Sequence, residues 1–364
     1  MATQYRYLLA DLLTNQILAE LPLTGVNFTQ QLNSAGTFTG KLLLSGVNSA
    51  ALNVLNGTIP GRCAIYVDRN GTLVWGGIIW SRDYKSSDQH LTISAREFES
   101  YFERRRITST QTFTNTDQLS IVQQLVTAAQ AVPFGNIGIA VGTETSGVLV
   151  GSQTYYSYEL KTYFTAIQDL SKNYNGFDFN ITVAYDGDGN PTKTLHLGYP
   201  RLGNAYSATS TTVPVFELPG NIVEYTYTED GSKAANAMYL TGAGSNEGKL
   251  IASATDSTKT AAGWALLEES VNYSNITDAT LLSGLATGQV NAVSYPPQTI
   301  QVVLPPYIDP VYGTYNIGDQ ARLIILDNRF PSGLDTNYRI IGLNVAPGET
   351  GPERVTVTLT YTTN

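Results

Sequence analysis

Glu97, Glu99 and Glu103 lie within seven residues of one another. Paired carboxylates of this kind are what a glycoside hydrolase needs, one protonated and one ionised. Phe98, Tyr101, Phe102 and Arg105 fall at i, i+3, i+4 and i+7, which predicts a helix over Glu97–Arg106. On that helix Glu99 and Glu103 share a face, and no surrounding pattern forms a cleft, so the expectation is a solvated helix face. Arg104-Arg105-Arg106 closes the stretch, where the helix dipole favours cations. The same charges suit an acidic surface on a neighbouring subunit. Glu97, Tyr101, Arg104, Arg105 and Arg106 are therefore the candidate inter-subunit contact.

Other constellations are weaker. Asp186-Gly187-Asp188-Gly189-Asn190 begins like a calcium loop, but Leu197 stands where the bidentate Glu is required, so a hairpin turn is expected. Gly242-Ala243-Gly244 with Gly248 has phosphate-loop composition. The following Lys249-Leu250-Ile251-Ala252 reads as extended where a helix start is needed, so this is a loop leaving a strand. His90, His196 and Cys63 are too few and too scattered for a zinc site. Neither histidine lies by a nucleophile-elbow sequence. His196 shares the polar face of a strand with Thr192 and Thr194. No catalytic, cofactor or metal residues are assigned, and the chain is expected not to be an enzyme.

The elements positioning these residues are mostly strands. Leu73–Trp80 is almost wholly apolar, Asp83–Gln89 is a polar turn, and Leu91, Ile93 and Ala95 alternate with Thr92 and Ser94. Asn70-Gly71 is a strong hairpin signal. Frequent turns and the absence of any long strand predict a first antiparallel barrel or closed sandwich over 1–113. Thr114 with Asp117 resembles a capping box before Leu119–Ala129. Ser157 is expected to cap a helix carrying Leu160, Tyr163, Phe164, Ile167, Leu170 and Tyr174, stopped by Gly176. Phe177–Val183 alternates as a strand, and 114–218 reads as an α+β module. Strands Ile222–Thr228, Ala237–Thr241, Thr299–Leu304, Ala321–Leu326, Tyr338–Val345 and Val355–Tyr361 suggest a second, split barrel over 219–245 and 295–364. Residues 246–294, with a helix at Ala279–Val293, form an inserted small domain.

The chain has 364 residues, enough for several subdomains. Charged residues make up 14%, below the usual share of about 25%, and Gly, Thr, Asn, Ser and Tyr replace them, as in β-rich proteins. The net charge of −9 argues against general nucleic-acid or anionic-membrane affinity and suits a conduit past which DNA slides. A single cysteine excludes an intrachain disulfide. MATQYRYLLADLL lacks the layout of a secretory signal, so Asn-x-Thr triplets such as Asn27-Phe28-Thr29 are chance matches. No apolar run approaches the roughly 18 residues of a spanning helix.

Three stretches carry a resemblance. The first is the Gly76-Gly77 strand with its hairpin and the helix Glu97–Arg106. The second is the helix and Gly-Phe-Asp-Phe strand of Leu160–Val183, followed by Leu195–Gly203. The third is Gly313–Leu326 with Arg329-Phe330-Pro331 and Tyr338-Arg339-Ile340. In this order they resemble the tail hub, or baseplate hub, proteins of tailed bacteriophages, including siphovirus minor tail proteins.

The resemblance implies a fold, mainly β with α+β insertions, of two tail-tube-like antiparallel β-barrels plus two smaller domains. It implies a homotrimer whose six barrels form a pseudo-sixfold ring. That ring would seat on a hexameric distal tail or tail tube protein and narrow towards tail-tip proteins. The tape measure protein C-terminus is a further implied partner, and DNA would pass through without specific binding. Location would be the distal end of the virion tail, after synthesis in the host cytoplasm, without membrane insertion. Some hubs carry a peptidase or lysozyme domain, and the strand ending near Asn364 leaves none expected here. The alternative is a distal tail or receptor- or glycan-binding protein, in which Tyr and Trp residues stack on sugars. Trp75 and Trp80, in a strand expected to be buried, count against it.

Overall fold

The computed structural model describes residues 3–44, 55–173, 175–205, 213–274, 276–296, 298–305, 307–348 and 351–361. Strands β1 (Tyr5–Asp11), β2 (Ile17–Glu20), β3 (Thr24–Gln31) and β4 (Thr37–Leu43) precede β5 (Cys63–Arg69), β6 (Thr72–Lys85) and β7 (His90–Glu97). Then come α1 (Glu99–Glu103), β8 (Gln111–Asp117), α2 (Gln118–Gln130), β9 (Ile139–Val141), β10 (Leu149–Tyr155), α3 (Tyr163–Ser171), β11 (Asp178–Tyr185) and β12 (Pro191–Gly198). The chain continues through β13 (Val215–Leu218), β14 (Glu224–Glu229), β15 (Ala237–Thr241), β16 (Ile251–Thr255), α4 (Ser257–Ala261) and β17 (Glu268–Asn272). It ends with α5 (Ala279–Val293), β18 (Gln298–Leu304), β19 (Gln320–Ile325), β20 (Leu334–Ala346) and β21 (Arg354–Tyr361).

Alternation makes the strands. Along β4 and β7 every second side chain is buried, the period of a pleated strand with one face on a core. The β5–β6 hairpin turns on Asn70 and Gly71, at φ of 54° and 84°, the left-handed pair that a two-residue turn requires.

Among the described residues thirteen strands form one sheet, ordered β14-β18-β21-β20-β3-β4-β7-β6-β5-β1-β2, with β19 on β20 and β13 on β19. The two expected strand-rich portions are thus joined edge to edge. Strand β20 makes the joint because it is longer than its neighbour. One edge holds β21, while the other pairs first with β19 and then, at Gly342–Val345, with Phe28–Gln31 of β3. The expectation that no strand is long fails here and at β6, which run 13 and 14 residues. Among the described residues no pairing closes either portion into a barrel. A single apolar core runs through both, with Phe28, Phe38 and Trp75 continuous with Phe216, Ile300 and Tyr315.

The α+β module lies on the other face of β1, β5 and β6. Leu8, Ala64, Tyr66 and Ile78 pack there with Phe98, Phe102, Leu125, Ile167, Phe179 and Leu195. A third core joins β15, β16 and α5 through Met238, Leu240, Leu282 and Leu285.

Several local expectations change. Helix α1 spans only Glu99–Glu103, because Glu97 still pairs in β7 and Arg104 already caps the helix. Asp117 alone caps α2, accepting from the Leu119 and Ser120 amides. Helix α3 begins after Thr162, since Leu160 at φ 48° ends a separate turn over Ser157–Glu159. Tyr174, expected on the α3 stripe, lies outside the described residues. Ala237–Thr241, expected in the second barrel, pairs with β16 and β17 of the insert. Val215–Leu218, expected in the α+β module, joins the main sheet through β19.

Candidate functional site: a polar joint and a buried acid pair

Arg339, on β20, is almost wholly buried between three segments. Its Nη2 donates to Asp178 Oδ2 on β11 and to the Leu202 carbonyl at 2.9 Å, and its Nε donates to the Gly318 carbonyl at 3.1 Å. Asp178 is equally committed. Its Oδ1 accepts from Asn33 Nδ2 at 2.7 Å, and its Oδ2 also accepts from the Leu202 amide at 3.0 Å. Asn33, in the β3–β4 turn, also pairs through Oδ1 with the Phe179 amide at 2.8 Å. One ion pair therefore fastens the β3–β4 turn, the α+β module and the second half of the sheet.

The chain around it is shaped for close approach. A Cβ on Gly203, at φ 85°, would stand 2.1 Å from the Gly318 carbonyl carbon. Asp319 accepts from the Asn204 and Asn316 amides at 2.7 and 2.8 Å, which locks this crossing. Two of the stretches that carried the resemblance, Gly-Phe-Asp-Phe through Leu202-Gly203 and Gly318-Asp319 with Tyr338-Arg339-Ile340, thus meet in space. A second buried pair, Arg69 on Glu353 with Tyr5 donating to the same carboxylate, ties β1 and β5 to the loop before β21.

Glu97 and Glu99 overturn the solvated-face expectation, being 3% and 1% exposed. The end of β7 turns the Glu97 carboxyl inward, and the first turn of α1 does the same for Glu99. Glu97 Oε2 accepts the Gly36 amide at 2.6 Å, and Glu99 Oε1 accepts the Ile181 amide at 2.6 Å. Glu99 Oε2 is buried with no hydrogen-bond partner among the described residues. The adjacent Arg96 is bound to Glu103. Burial, followed by the charge of Glu99, raises Glu97 well above the usual carboxylate range. Burial pushes Glu99 up to about 7. Beyond Phe98 lies Lys193, its Nζ on the Ile137 carbonyl at 2.6 Å and pushed down by burial to about 8. Enclosed in packed side chains, these groups hold segments together through the Gly36 and Ile181 amides and the Ile137 carbonyl.

The expected contact residues separate. Glu97 is inside the chain and Tyr101 is buried, its hydroxyl donating to the Gly135 carbonyl at 2.7 Å. Arg104 and Arg106 are exposed, and Arg105 lies over the Tyr101 ring. Asp186 caps its own hairpin turn through the Asp188 and Asn190 amides. His196 stays on the polar face beside Thr182. Trp75 is buried and Trp80 donates to Ser100, so neither ring is an open sugar platform. The joint escaped sequence reasoning because Asp178 and Arg339 stand 161 positions apart. The only signal was that both belong to stretches of the resemblance.

No family model matches the chain, and no curated protein matches it. Solved structures do. A tail protein from Neisseria meningitidis MC58 aligns with a TM-score of 0.61 over 98% of this chain and 96% of its own, at 13% identity. The 43 kDa tail protein of prophage MuSo2 from Shewanella oneidensis gives 0.59, covering 98% of each chain at 15% identity. An Escherichia coli component of the type VI secretion system, described as similar to the T4 tail proteins gp27 and gp5, gives 0.51 at 8% identity, over 100% of this chain and 75% of its own. The chain has the mainly β fold of these tail proteins.

Proposed function

We propose that this chain is the structural hub of a phage tail. Three copies form a ring that joins the hexameric tail tube or distal tail protein to the tip and encloses part of the DNA path. Residues 1–113 form one ring segment. Residues 219–245 and 295–364, without Ala237–Thr241, form the other. Three copies of two segments match a sixfold tube. The carrying observation is the continuous sheet, held across its middle by the β3–β20 pairing and the Asp178–Arg339 joint. It makes both segments one body whose end strands, among the described residues, are β2, β14 and β13. The end-to-end likeness to tail proteins and the charge of −9, suited to a surface that DNA does not grip, support the same reading.

The tape measure protein C-terminus and tail-tip proteins are its further partners, and its role is mechanical, without catalysis. Reconstruction of assembled tails tests this: a threefold ring at the distal end of the tube is expected, and a single copy per tail would overturn it. Peptidoglycan zymography of the purified chain should show no clearing.

A further inference from the structure

The outer surface of the α+β module carries a patch whose three arginines make no ion pair among the described residues. Arg104 and Arg106 are exposed. Arg105 hydrogen-bonds Tyr101, and Arg106 reaches only the Leu160 carbonyl, at 3.5 Å. Neighbouring carboxylates are engaged elsewhere, Glu103 by Arg96 and Asp169 by Lys161. Glu159, exposed across the cleft of about 330 Å³ that Arg106 lines, makes no ion pair among the described residues.

Two loop tips flank these cations. On one side Phe134 precedes Gly135, whose carbonyl holds Tyr101, and it is 87% exposed. On the other, Leu160 is 53% exposed beside the stacked, exposed rings of Tyr156 and Tyr158. Phe134 and Leu160 sit at φ of 58° and 48°, a left-handed conformation that side-chain-bearing residues rarely adopt. Strained, exposed apolar tips around free arginines have the composition of an interface core rather than of ordinary surface.

The complement stands on the insert. Among the described residues strand β17 pairs only with β15, which leaves its outer edge open. Leu266 just before it is 56% exposed, and Glu268 and Glu269 are exposed, with no cation on either among the described residues. Within one chain the two surfaces do not meet: the insert brings Ser274 to the Arg106 cleft, not its glutamates.

We infer that the Arg104–Arg106 patch of one copy receives the acidic edge Leu266–Glu269 of a second copy. The inference rests on the oligomeric hub reading and names its contact. It is head-to-tail, since two different surfaces meet, and identical contacts close into the proposed ring when each step turns by one third of a circle. Phe134 and Leu160 supply the apolar flanks that Leu266 meets, and the arginines and glutamates set the register.

Charge reversal tests it on the full chain. R104E/R106E and E268K/E269K should each raise the dissociation constant of the oligomer by about tenfold or more, as for interfacial charge pairs. Mixing the two variants, or combining all four changes, should restore assembly. Thermal melting near that of the parent chain shows that each variant is folded. If the parent chain assembles and either reversal leaves assembly unchanged, or the combined chain fails to recover, the contact is wrong while the hub reading stands. Reversed variants that self-assemble normally but fail to join complete tails would assign the patch to another acidic tail protein, overturning the inference. A parent chain that stays monomeric in assembled tails would remove both.

Discussion

The Asp178–Arg339 joint and the Glu97–Glu99 pair both bury charge where the α+β module meets the sheet, and they do it in opposite ways. At the joint each ion faces its opposite, and carbonyls and amides take up further hydrogen-bonding positions. At the acid pair two like groups are buried, Arg96 is engaged elsewhere, and one oxygen is unpartnered. A compensated buried pair resists a change of pH, whereas an uncompensated one is governed by it.

The largest effect is expected at the joint. Arg339→Ala leaves Asp178 buried without its cation and should cost about 3–5 kcal/mol in denaturant unfolding. Adding Asp178→Asn should recover part of that loss, and strict additivity of the two changes would contradict the account of a coupled pair. Gly203→Ala should come next, at about 2 kcal/mol or more, because the added methyl meets the Gly318 backbone in a left-handed conformation.

The acid pair supplies the pH test. Glu99 binds its proton more tightly when folded than in its ordinary state, so the fold favours its neutral form. The stability from that preference is fully present below about 4.5 and is lost as pH rises through about 7. Parent stability should therefore decline by on the order of 2–3 kcal/mol from about pH 4.5 to 7.5 through this group, and Glu99→Gln should flatten the decline. Lys193, depressed to about 8, contributes with the opposite sign at higher pH, so the comparison ends near pH 7.5. An unchanged slope in Glu99→Gln would show that Glu99 does not carry the proton. The smallest change is Tyr101→Phe. It loses the hydrogen bond donated to the Gly135 carbonyl and the longer one accepted from Arg105, and should cost about 1 kcal/mol in thermal melting.

Local pattern was legible. The Ala279–Val293 helix appears at its expected bounds despite Gly284 and Gly288, because Leu282, Leu285, Ala286 and Val290 bury one stripe. The Asn70-Gly71 hairpin and the Asp186–Asn190 turn also appear where turn chemistry placed them. Helix starts were less legible. Ser157 was the expected cap, but the left-handed Leu160 ends its turn and Thr162 caps the helix instead.

Glu97, Glu99 and Glu103 show where sequence and tertiary structure divide the work. Their identity and spacing marked a place where carboxylates cluster, and alternation alone carried Glu97 to the end of a strand. Whether Glu97 and Glu99 met water depended on Gly36 and Ile181, which arrive from distant segments and donate their amides to them. The sequence by itself determined many of the main-sheet strands, several turns, the mainly β class and a net negative charge, because these follow from side-chain period, local backbone preference and composition. Tertiary structure alone decided that β20 would outrun β19 and take β3 as a neighbour, and that Arg339 would find Asp178. Both depend on long-range pairing, where no residue's type names its partner.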